Sequence, residues 1–211
     1  MITCKNFIFN ELGVNAFVIY DETAACILVD PACNSDGQRK KLREYIRLNS
    51  LKPQYIVNTH GHFDHIAGNA WAKSEFGCPL LMHRDDLNLL TNASQYAEIF
   101  GIQVDQPPEP DHFLEEGEVL RFGHSEMAIL HVPGHSSGSI CLFSESDKLL
   151  IAGDVLFKGG IGRTDFEDGD YNLLIKGIQT KLMVLPGDTV VWPGHGPPTT
   201  IGQEHDTNPF L

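Results

Sequence analysis

Six consecutive residues, His60 to His65 in the stretch NTHGHFDHIAGN, hold three imidazoles and one carboxylate. Imidazole nitrogen and carboxylate oxygen suit zinc and other borderline metals, and one catalytic ion takes three protein ligands with a position left for water. His60, His62, Asp64 and His65 are therefore more than one such ion needs from a single turn, and too few for two. The shortfall has to be met elsewhere. Three isolated residues meet it: His135 in HVPGHSSGS, Asp154 in LLIAGDVLF and His195 in VVWPGHGPP. Each stands where an apolar, strand-like run gives way to a loop beside a glycine, so all three can open onto one edge of a sheet structure. Seven ligands serve two ions with three terminal ligands apiece and one shared carboxylate.

Elements of the right kind are present to position them. Apolar runs of strand length cover 16–20, 25–30, 55–59, 79–83, 127–132, 140–145, 148–154 and 189–194. Helical spacing covers 36–49, where Leu42, Tyr45 and Ile46 share a face, and 64–77, which ends at Gly77; further helices are expected near 84–100 and 170–183. The run YIVNT leads straight into the histidine turn, where Gly61 permits a close approach and Asp64 can serve the start of the following helix. Strands come in succession, helices intervene, and the later half repeats that order. Two β-sheets packed face to face with helices outside fit this better than one parallel sheet, and the proline-rich acidic segment 104–118 reads as the crossover between halves.

Composition narrows the class. At 211 residues, with 42% hydrophobic and 20% charged, the chain is expected to form one domain over 1–211. A net charge of −13 opposes nucleic acid and anionic lipid as partners. No apolar run approaches membrane-spanning length and the first residues lack the layout of an export signal, so a cytoplasmic protein, monomeric or a small homo-oligomer, is expected. Cys4, Cys26, Cys33, Cys78 and Cys141 are odd in number and scattered, which suits reduced, mostly buried thiols. His83, His112, His124, His131 and His205 lack comparable spacing and read as surface or core residues, while GGIGR lacks the strand and helix that frame a nucleotide loop.

The order HxHxDH, then a lone His, a lone Asp and a lone His, resembles the metallo-β-lactamase superfamily, in particular its glyoxalase II (hydroxyacylglutathione hydrolase) group, over nearly the whole chain. The resemblance implies an α/β fold, a four-layer αβ/βα sandwich of two mixed sheets flanked by helices. It implies His60, His62 and His135 on a first metal, Asp64, His65 and His195 on a second, and Asp154 bridging. Asp30 would orient a ligand histidine from behind, and Arg163 would clamp a substrate carboxylate, unless it is a surface arginine paired with Asp165 or Asp168. The implied cofactor is two divalent ions, zinc first, with iron or manganese also compatible. The implied reaction is hydrolysis of a small-molecule thioester such as S-lactoylglutathione by a hydroxide held between the ions beside Asp64; a soft, weakly basic thiolate suits such a centre as leaving group.

The chain also departs from that group, because only GPPTTIGQEHDTNPFL follows His195. That tail resembles the short bacterial type, which is expected to do without the helical domain that grips glutathione in the longer members. Three rivals share the fold. A persulfide dioxygenase would use a single iron on His60, His135 and Asp154; a lactonase or other ester or amide hydrolase would use the same pair of ions; a β-lactamase fits the bridging Asp154 less well.

Overall fold

The computed structural model describes residues 1–102 and 104–211. β1 (Thr3–Phe9), β2 (Val14–Tyr20) and β3 (Ala25–Val29) form an antiparallel meander; β4 (Lys52–Val57), β5 (Leu80–Met82) and β6 (His112–Phe113) extend it in parallel. A second sheet runs antiparallel through β7 (Val119–Phe122), β8 (Ser125–His131), β9 (Ile140–Ser144) and β10 (Leu149–Gly153). A small hairpin, β11 (Leu156–Phe157) and β12 (Gly160–Ile161), follows; β13 (Val190–Pro193) then joins β10 in parallel and β14 (Thr199–Thr200) closes the edge.

Successive side chains of a strand point to opposite faces, and here both faces are covered. Phe17 and Ile19 of β2 meet Ile140, Leu142, Leu149 and Ile151 in an inter-sheet core, while Ala16 and Val18 turn the other way, toward helices. On the second sheet Cys141, Leu150 and Ala152 face outward under Leu174 and Ile178. The result is helix, sheet, sheet, helix, the four layers expected. Burial on both sides explains why β2 from Ala16 onward, β3 and β10 read as apolar runs.

α1 (Asp36–Leu48) packs Leu42 and Ile46 on the first sheet, and Tyr45 reaches the Tyr20 hydroxyl at 3.0 Å. The helix expected over 64–77 is two pieces, α2 (Phe63–Ile66) and α3 (Asn69–Phe76). The break lies where the chain passes Pro31: a Cβ on Gly68 would stand 1.6 Å from the Pro31 carbonyl oxygen. α3 does stop at Gly77, whose φ of +65° is the left-handed conformation glycine tolerates. The helical region near 84–100 is a 3₁₀ turn over Arg84–Asp86, then α4 (Leu87–Thr91) and α5 (Ala93–Ile99). The region 170–183 is α6 (Tyr171–Gly177), continued in a wider turn to Leu182, and α7 (Ile201–Thr207) ends the chain.

β1, β7 and the two-residue strands β6, β11, β12 and β14 lie outside the expected strands. β1 buries only Phe7 and Phe9 fully, so its apolar signal is short, and β6 is a two-residue strand inside the crossover. Among the described residues no helix is long and apolar enough to cross a membrane. Gly68→Ala should destabilise the fold by about 3 kcal/mol or more, because backbone must move to admit one methyl group; urea unfolding of the variant measures this.

Candidate metal centre

Four loops that leave β4, β8, β10 and β13 meet at one edge of the sandwich. The histidine turn after β4 brings His60 and His65 under cover and leaves His62 and Asp64 partly exposed. His135 follows β8, Asp154 directly follows β10, and His195 lies two residues beyond β13. Gly194 is needed for this approach: a Cβ there would stand 2.1 Å from Asp154 Oδ1 and 2.7 Å from the His65 ring.

Four of the five rings have one nitrogen fixed by an acceptor behind them. His65 Nδ1 donates to Asp30 Oδ2 at 2.9 Å, His135 Nδ1 to the Arg163 carbonyl at 2.9 Å, and His195 Nδ1 to the Leu12 carbonyl at 3.0 Å. The Thr59 hydroxyl donates to Asp30 Oδ2 at 2.6 Å, so it accepts from His60 Nδ1 at 3.0 Å. Each ring therefore presents Nε2 inward as the atom that can bind a cation. His62 is the exception and faces inward through Nδ1, 3.0 Å from His135 Nε2.

The inward atoms fall into two groups. Ligand atoms of His60, His62 and His135 all lie within 4.8 Å of one another, as do those of Asp64, His65 and His195. Asp154 stands between, with Oδ2 3.6 Å from both His135 Nε2 and His195 Nε2 and Oδ1 3.5 Å from His65 Nε2. His60 Nε2 and Asp154 Oδ1 are buried without a hydrogen-bond partner. Buried acceptors left bare cost about 1–3 kcal/mol each, and a cation between them removes that cost. Two borderline dications fit this donor set of nitrogen and carboxylate oxygen.

Asp30 and Arg163 stand in different surroundings. Asp30 lies beneath the cluster, fully buried, accepting from Thr59 backbone N at 2.8 Å as well as from the Thr59 hydroxyl and His65; its φ of +47° is left-handed for a non-glycine residue. Arg163 sends only its backbone carbonyl to the cluster. Its guanidinium is exposed, makes two 2.7 Å bonds to Asp165, and lies 4.1 Å from the Phe166 ring centre.

Two anchoring residues escape a reading by spacing. The buried Asp86 carboxylate accepts from Gly61 N at 2.7 Å, from Ser136 Oγ at 2.7 Å and from Gly138 N, so one group ties the His60 turn to the His135 loop. Asn15, buried in β2, donates to the carbonyls of Pro193 at 2.9 Å and Gly196 at 2.8 Å and so holds the loop of His195. A polar residue inside the apolar run VNAFVIY is a signal for Asn15; HRDD offers none that separates Asp86 from its neighbours.

Charge is distributed unevenly. Burial, then the neighbouring rings, push His60 well below the ordinary histidine value, and burial with His135 pushes His62 down to about 3. Burial also disfavours charge on His65, yet Asp64, Asp154 and Asp30 outweigh it and hold His65 up to about 10. For Asp64 burial is outweighed by His65 and His195, which keep its carboxyl ionised. The surroundings of His65 thus favour its protonated form, with Nε2 3.2 Å from His195 Nε2.

A profile of the metallo-beta-lactamase superfamily matches residues 9–195. The chain belongs to that superfamily. Among its relatives, the hydroxyacylglutathione hydrolase GloC of Haemophilus influenzae is 38% identical over 93% of this chain and 92% of its own. Two solved structures are 34% identical: BLEG-1, described as a B3 metallo-beta-lactamase, superposes with a TM-score of 0.90 over 100% of this chain and 99% of its own, and TTHA1623, solved in a di-iron-bound form, with 0.89 over 98% and 100%. The superfamily match and these relatives support a metal-dependent hydrolase. The substrate is a separate matter, since the relatives carry different activities by name.

Metal uptake at pH 7 should release protons, because the His65 pKa of about 10 lies above that pH; the sign requires affinity to rise with pH until His65 has lost its proton. Proton release in weakly buffered solution, paired with chelator competition at several pH values, measures both, and pH-independent affinity would contradict the assignment of His65. Asp86→Ala should weaken metal binding about 10- to 100-fold by releasing both loops, read by the same competition.

Proposed function

We propose that the protein is a dinuclear metal-dependent thioester hydrolase, with His60, His62 and His135 holding one ion, Asp64, His65 and His195 the other, and Asp154 shared. The observation that carries this reading is Asp154, whose two carboxylate oxygens face both groups of ligand atoms at 3.5–3.6 Å. When bound, two adjacent dications supply acidification of water to near-neutral pKa and polarisation of a carbonyl.

The residues of the chain contribute order and charge. Asp30, through Thr59 and His65, and the carbonyls of Arg163 and Leu12, through His135 and His195, fix the rings so that little reorganisation accompanies reaction. Asp64, kept ionised beside His195 Nε2 at 3.4 Å, orients the attacking water by accepting its hydrogen bond. A thiolate is a good leaving group that departs without a proton, which suits a cluster built from imidazoles and carboxylates alone. Similarity to GloC supports a glutathione thioester as the first substrate to try, with a small acyl group such as lactoyl. Zinc and iron are both compatible with these ligands, and the di-iron form of TTHA1623 supports testing each.

One experiment separates the readings. Protein loaded with zinc or with iron is assayed for thiol release from S-lactoylglutathione, for oxygen uptake with glutathione persulfide, and for hydrolysis of a β-lactam, the last because of the likeness to BLEG-1. Thiol release with two metals per chain is the expected result. One iron per chain with oxygen uptake, or β-lactam turnover alone, would overturn it. Asp154→Asn should cut kcat at least 100-fold and lower the metal content, since the amide cannot supply charge to both groups.

A further inference from the structure

Beside the ligand cluster lies a cavity of about 100 Å³ walled by Phe63, Leu89, Tyr96, Phe100 and Phe166, with His62, Glu167 and Asp168 also in its lining. The Phe166 ring meets His62 edge-on at 5.3 Å, and Phe63 and Phe100 pack with ring centres 5.4 Å apart. Across Phe63 a narrow gap beside Asp64 shares Asn34, Ala67, Ile102 and Val104 with a much larger cleft of about 530 Å³, which Arg39, Glu98 and Asp105 make polar. The cluster is thus flanked by a small aromatic cavity on the His62 side and a wide charged cleft on the Asp64 side.

We propose that the aromatic cavity is the acyl subsite and that it selects short unbranched acyl groups, the thiol carrier lying toward the polar cleft. The proposal rests on the thioester reading above. Two physical differences assign the sides. A water molecule's share of liquid volume is about 30 Å³, so 100 Å³ admits a terminal group of a few heavy atoms and not an extended carrier. Four aromatic rings and a leucine make most of its wall, beside Glu167 and Asp168, and reward apolar surface, whereas a hydrophilic carrier finds its hydrogen-bonding partners in the larger cleft. Phe166 follows the bidentate Arg163–Asp165 pair, whose guanidinium lies 4.1 Å from its ring centre and so holds that wall from outside.

The test is a series on one carrier, S-acetyl-, S-propionyl- and S-butyrylglutathione, with metal-loaded protein, and inhibition by the free acids acetate, propionate and butyrate as a measure of binding apart from turnover. Each methylene that enters the cavity should raise kcat/KM about fourfold, or roughly 15-fold from acetyl to butyryl, and the acids should tighten in the same order. Leu89→Trp, which fills the cavity, should bring the butyryl-to-acetyl ratio toward 1. Phe100→Ser should do so too, and this position is 55% exposed, so the change spares the core if the tryptophan variant fails to fold. A flat series in both turnover and inhibition, with thioesters still cleaved, would overturn the acyl subsite alone. No turnover of any thioester would overturn the reaction and the subsite with it.

Discussion

Lone pairs crowded together inside a protein repel, and that repulsion is the constraint around which this fold is organised. His62 Nδ1 and His135 Nε2 stand 3.0 Å apart, His65 Nε2 and His195 Nε2 3.2 Å apart, and two carboxylates share the space. Only a cation, metal or proton, makes such a cluster favourable. Until one arrives the backbone must hold the groups in place, which loops alone would not do. Hence the buried polar anchors: Asp30 behind His65 and Thr59, Asp86 behind both histidine loops, and Asn15 behind the loop of His195. Asp30 keeps its place in a left-handed conformation, a local cost of the order of 1–3 kcal/mol met by the surrounding packing.

The cluster is also assembled across the two sheets. The first supplies His60, His62, Asp64 and His65, and the second supplies His135, Asp154 and His195. Asp86 and Asn15, rooted in the first, bond loops of the second, and Ile140 N donates to the Thr59 carbonyl at 2.8 Å. Sheet packing and ligand geometry are therefore one property. A shift of the inter-sheet core by even an ångström would pull the two ligand groups apart, so metal binding and folding stability must be linked.

This division explains what the sequence made legible. The candidate ligands follow buried strands within a few residues, and strands with both faces covered announce themselves as continuous apolar runs; the surplus of metal-binding residue types in one turn points to partners at the ends of other runs. β1 was silent because only two of its side chains are fully buried, and the helix over 64–77 was read through its break because the cause, the Pro31 carbonyl against Gly68, lies more than thirty positions away in the chain. Asp86 was invisible for the same reason: its partners Gly61, Ser136 and Gly138 come from two distant loops. Arg163 lay at the position the resemblance singled out, yet a neighbour two residues on, Asp165, takes its guanidinium.

The walls around the cluster obey a different rule from its floor. The ligands come from strand ends and from the tight turn after β4, where a change of one residue is felt by the inter-sheet core. Phe63 sits in the histidine turn itself, but Leu89 comes from α4, Tyr96 from α5, Phe100 from the end of α5 and Phe166 from the loop before α6, none of which carries a candidate ligand. Substitution in those segments can reshape what the centre admits while leaving the seven clustered residues where they are. Relatives of nearly equal similarity that bear the names of a hydroxyacylglutathione hydrolase and of a metallo-beta-lactamase are what such a separation allows, since one centre can serve different acyl compounds where the helices above it set which of them reaches it.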